Sequence, residues 1–163
     1  MYIEDKYWNN YIGDTDDSLT LVDYLAERGQ AEIAFREILA DFGLDRLQGQ
    51  FRRPEVPLVY TDPAGWEQEI HFAIDLLTDL AALLLECRIS GSVDLEELYG
   101  APVETAASQV CLTATEEDHA LLDRVLEDFI ADPMAYDLSD LCSQEEMEET
   151  AAVVKALRQE LYG

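Results

Sequence analysis

Positive charge is what this sequence has least of. Ten lysines and arginines stand against 36 aspartates and glutamates in 163 residues, a formal net charge of -26. A surface of that sign repels nucleic-acid phosphates and anionic membranes. The one basic cluster, Arg46, Arg52 and Arg53, sits alone in an acidic field. Cysteine is scarce as well: Cys87, Cys111 and Cys142 are odd in number and far apart. That argues against a disulfide framework, and no CxxC or Cys/His spacing points to structural zinc. The three read as buried free thiols. No long hydrophobic run occurs. The most apolar stretch, Ile70 to Leu85, is broken by His71, Asp75 and Asp79 and is too short and too charged to span a bilayer. The opening MYIEDKYWNN lacks the apolar segment of a secretory signal. The expectation is a reduced, soluble, cytoplasmic chain that meets neither nucleic acid nor membrane.

Catalytic signatures are missing too. The sequence holds no GxSxG, no GxxxxGK[ST] and no GxGxxG. Of its two histidines, His71 lies four residues before Asp75, and Asp79 continues the spacing. On one helical face such a set could tune a base or contribute to a metal site. No HExxH motif and no second helix with an ExxH supplies the remaining ligands. The stripe is therefore expected to be structural, satisfied by hydrogen bonds, with no enzyme activity, no cofactor and no metal.

What is present is a core. Hydrophobic residues make up 48% of the chain, too many for a disordered acidic tail. Helical periodicity predicts helices over residues 18–28, 31–42 and 66–87, with Gly29 and Gly43 as stops for the first two. Thr115 with Asp118, and Ser143 with Glu146, predict the caps of two more. The fold class is mainly α: one helical domain over residues 1–163, a bundle with room for one small pairing of short strands, 56–61 against 109–113. Leu76, Leu80 and Leu84 are expected in its centre.

The stretch DTDDSLT, Asp14 to Thr20, has carboxylates at the alternate positions of a calcium loop. Its sixth position is Leu19 and its twelfth Leu25, where such a loop needs Gly and Glu. A helix cap made by Asp16, Asp17 and Ser18 fits better. Capping accounts for only one or two of these acids. The rest, beside the aromatic leader with Tyr7 and Trp8, form a candidate partner-binding surface: Tyr7, Trp8, Asp14, Asp16 and Asp17. Aromatics of this kind are usually a terminal segment packed on the core, and the acidic loop beside them keeps the interface reading open. Residues 101–163 carry 15 acids against 3 bases, and there the like-charged pair Asp123 and Glu127 extends the candidate surface.

The runs YWNNYIGDTDDSLTLVDYLAE and EEMEETAAVVKALRQELYG, in a small and strongly acidic chain without catalytic motifs, resemble the immunity proteins of bacterial polymorphic-toxin and contact-dependent inhibition systems. The resemblance is one of overall character and transfers no residue roles. It implies a non-enzymatic protein that binds and neutralises a cognate toxin domain, often a basic nuclease. A different acidic binder, a DNA mimic or adaptor filling the basic groove of a nucleic-acid-binding protein, stays open on the residues alone.

Overall fold

The computed structural model describes residues 1–100, 102–103 and 108–163. Its centre is α4, Ala73–Ser90. Every residue from Ala73 to Glu86 is buried. Leu76, Leu80 and Leu84 lie in the core as the periodicity predicts. Such a helix has no solvent face, so its polar residues must find partners inside the protein.

Around it pack α1 (Tyr2–Lys6), α2 (Asp16–Arg28), α6 (Glu116–Ala131) and α7 (Gln144–Tyr162). The caps of α6 and α7 form as predicted. Thr115 and Ser143 accept the amides of Asp118 and Glu146, which bond back to the amides of Thr115 and Ser143. The inner stripe of α7 is Met147, Ala151, Val154, Leu157 and Leu161, all buried. Two short helices, α3 (Phe35–Asp41) and α5 (Leu95–Tyr99), complete the mainly α fold.

Strands are more numerous than the sequence reading allowed, and their partners differ. The segments expected to pair both exist, as β2 (Leu58–Thr61) and β5 (Gln109–Thr113). They do not meet. β2 folds back on β3 (Glu67–Ile70) as an antiparallel hairpin. β5 lies between β1 (Glu32–Ala34), parallel to it, and β4 (Val93–Asp94), antiparallel. A hairpin closed by a few residues costs little chain entropy, so β2 takes its local partner.

Two predicted helices lose their first turns to these strands. The helix expected from Ala31 begins at Phe35, because Ile33 is drawn into β1 and pairs with Leu112. Ala34, expected inside, is exposed. The helix expected from Trp66 begins at Ala73, after β3. His71 is therefore not on a helical face with Asp75.

Candidate partner-binding surface

The opening loop is built around a buried carboxylate. After α1, Trp8 bridges to Ile12, and the chain turns through Gly13 with φ at +77°. The Gly13 amide donates to Asp79 Oδ1 at 2.9 Å, and the Ser18 hydroxyl donates to Asp79 Oδ2 at 2.6 Å. Thr15, rather than Asp16, Asp17 or Ser18, caps α2, with its side chain accepting the Ser18 amide. Asp16 and Asp17 occupy the first turn, where negative charge is favoured.

Asp17 does more than that. Its carboxylate accepts the amides of His71 and Phe72, each at 2.9 Å, and lies 3.1 Å from His71 Nδ1. Phe72 is the N-cap residue of α4 and offers no side-chain cap. Asp17 on α2 thus caps α4 from outside the helix. Glu86 does the same for α1 by accepting the amides of Tyr2 and Ile3. Asp118 holds its own capping box and pairs with Arg36 at 3.0 Å. Much of the acidity is thus structural, through geometry that composition does not reveal.

The predicted contact residues divide accordingly. Tyr7 and Trp8 are 1% and 5% exposed and belong to the core, with the Tyr7 hydroxyl bonded to Glu160. Asp17 is buried as described. These three are corrected from surface to interior. Asp14 and Asp16 are exposed. On α6, Asp123 is held by Arg158 at 2.6 Å, and Glu127 lies 3.5 Å from the same guanidinium. Their charge is partly spent within the fold. The structure brings Asp14 and Asp16 together and leaves the α6 pair in a separate ion-pair network.

The His71–Asp75–Asp79 stripe is also corrected. His71 turns to Asp17, and its pKa rises through that hydrogen bond, with Asp17, Glu69 and Asp16 adding to the effect against partial desolvation. Asp75 and Asp79 face the interior. Burial pushes Asp75 up to about 8, with the carboxylates of Asp79 and Asp17 adding to it. Burial raises Asp79 to about 7 against the hydrogen bonds from Ser18 and Gly13. No hydrogen bond reaches the Asp75 carboxyl among the described residues, and no group of three metal-ligating side chains gathers there. With Asp17 committed to amides, millimolar Ca²⁺ is expected to change the melting temperature no more than Mg²⁺ does. A calcium-specific rise of several degrees in differential scanning fluorimetry would overturn that, since native-state binding raises stability.

His71 also locates the outer surface. The bonds from the His71 and Phe72 amides to Asp17 seat the first turn of α2 against the end of β3. Beside Asp14 lies a cleft of about 260 Å³ lined by Trp8, Gly13, Leu19, Leu98 and Tyr99 among others. Leu19 on its rim is 56% exposed. Trp66, expected at the start of a helix, is instead 72% exposed at the end of the β2–β3 hairpin. The Asp62-Pro63-Ala64-Gly65 run before it carries a turn signal that could have found it.

The description of the Immunity protein 68 family matches residues 2–161. The chain belongs to that family. Membership implies that it binds and neutralises a cognate toxin, and immunity proteins in general act without catalysis. No curated protein and no solved structure matches the chain. No helix among the described residues is long and apolar enough to cross a membrane.

Proposed function

We propose that the chain neutralises a basic toxin domain, a nuclease, in the cytoplasm by occupying it through an acidic face that runs from Asp14 and Asp16 past His71 to Glu69. What supports this reading is the net charge of -26 on a member of this family, with Asp14 and Asp16 exposed at the start of α2 and that turn bonded through Asp17 to His71 at the end of β3. A nuclease must present positive charge to bind a polyphosphate. A chain of net charge -26 complements that surface and steers it in from a distance.

The test uses a purified candidate toxin domain, taken from the gene immediately upstream of this chain's where that gene encodes one. Stopped-flow association should slow about tenfold or more from 10 to 150 mM salt, as the Debye length falls from about 30 to about 8 Å. The double variant Asp14→Lys, Asp16→Lys should slow association several-fold with little change in dissociation. Nucleolytic activity of the toxin on plasmid or RNA should vanish at one equivalent of wild-type chain. A salt-independent rate, or an inhibited toxin with no nucleolytic activity, would overturn the basic-nuclease reading.

A further inference from the structure

We propose that Trp66, at the tip of the β2–β3 hairpin, is the anchor by which this chain grips the toxin domain, its indole stacking on a lysine or arginine of that partner. The inference rests on the toxin-binding reading above and names a residue and a contact chemistry for it.

Trp66 has no evident task in the fold. It is 72% exposed, whereas the other tryptophan, Trp8, is 5% exposed in the core. Around it the hairpin projects: Thr61 and all of Pro63 to Glu69 are exposed, and Asp62 is half-buried. The tip is nevertheless held rigidly. The Gly65 amide donates to the Asp62 carbonyl, and the Asp62 amide donates to the Trp66 carbonyl, each at 2.9 Å. The Trp66 amide donates to Asp62 Oδ1 at 2.9 Å. Pro63 fixes its own φ, and Gly65 takes the positive φ of +90° that the turn requires. A large aromatic on a preorganised turn loses little backbone entropy on binding, and tryptophan is among the residue types that dominate interface energies.

The surroundings specify a cationic partner. Residues 54–70 contain no lysine or arginine but include Glu55, Asp62, Glu67 and Glu69. In the hairpin register Val59 lies opposite Glu69 and Thr61 opposite Glu67, so these four side chains share one face, while Trp66 falls on the other face, opposite Asp62, whose carboxylate accepts the Trp66 amide. An aromatic ring next to carboxylates attracts guanidinium and ammonium groups through its π face and their charge together. The same charges on β3 oppose strand addition at its open edge, which favours contact through side chains. At its base the hairpin meets the start of α2, where Asp17 accepts the His71 and Phe72 amides.

The experiment incorporates 5-fluorotryptophan into the full chain, which gives two ¹⁹F resonances assigned with Trp66→Phe. The same candidate toxin domain, unlabelled, serves as the probe. Binding should shift the Trp66 resonance and remove its H₂O/D₂O isotope effect, and leave Trp8 in place. Trp66→Ala should weaken binding about 30-fold or more, mainly through faster dissociation, with an unchanged melting temperature. Trp66→Phe should retain part of the affinity. A complex that still forms and neutralises the toxin while the Trp66 resonance stays put and Trp66→Ala binds within about threefold of wild type would overturn the anchor and spare the toxin-binding reading. A concentration-dependent Trp66 shift in the chain alone would assign the tip to a second copy and overturn it too. Failure of the wild-type chain to bind the toxin domain would overturn both readings.

Discussion

Replacing Gly13 with alanine should lower stability by about 4 kcal/mol, the sum of a left-handed backbone penalty of about 1–2 and an overpacking penalty of about 1–3. Gly13 holds φ at +77°, and a Cβ placed there would come under 3.0 Å from three carbons of the Trp8 indole. The ring cannot retreat, because it is buried against the core. Nor can Gly13 move away without giving up its hydrogen bond to Asp79. Gly91→Ala is the control. Gly91 ends α4 with φ at +86°, yet nothing lies within 4 Å of its would-be Cβ. That change should cost only about 1 kcal/mol, the backbone penalty alone. Urea unfolding of the two variants separates the terms: equal midpoints would mean that the indole yields and the loop is not locked.

Melting temperature should rise as pH falls from 8 to about 5.5, the reverse of what a protein held together by ionised carboxylates would show. Asp75, with a folded pKa of about 8, keeps its proton in the native state across a range where the unfolded chain, near 3.8, has lost it. The native state therefore binds more protons, and stability falls as pH rises through this window, by at most about 1.4 kcal/mol per pH unit for one group. Asp79, at about 7, adds to the slope in the lower part of the range. His71, raised by Asp17, acts in the same direction: its contribution is complete below its unfolded value and is lost as pH climbs past its folded one. Opposing them are Asp118, Asp128, Asp140 and Glu160, all lowered. Their contributions are present above the ordinary carboxylate range and are lost only below it. Stability should therefore peak near pH 5, with several kcal/mol lost by pH 8, about 4 of it at most from Asp75, each kcal/mol being roughly 2–4 °C in melting temperature for a chain of this size. Asp75→Asn should flatten most of that slope. An unchanged slope in this variant would place the titrating group elsewhere.

The sequence announced some of these features and concealed others for a common reason. Helices α6 and α7 were legible because their signals are local: Thr115 and Ser143 lie three residues from the groups that complete their capping boxes. The inner stripe of α7 follows from spacing alone. Asp17 was misread as surface because the amides it satisfies are 54 and 55 residues away. Trp8 and Tyr7 were ambiguous because an aromatic run has the same composition in a core and at an interface. Of the candidate surface, Asp14 and Asp16 are exposed, as is Glu127 beside Arg158. Trp66 was missed because Glu67 and Glu69 suit the first turn of a helix as well as they suit an edge strand.

The first and last segments of the chain are fastened to each other. The hydroxyls of Tyr2 and Tyr7 both bond to Glu160, and Lys6 lies 3.2 Å from the same carboxylate. At about 5–20 residues per second, a ribosome makes Glu160 roughly 8–30 s after Tyr7. During that interval the amino-terminal segment can already dock on α4, where Glu86 caps α1 and Asp79 holds the loop that follows. Its tyrosines alone wait for a partner. The clasp between the two segments therefore closes late, once α7 has formed.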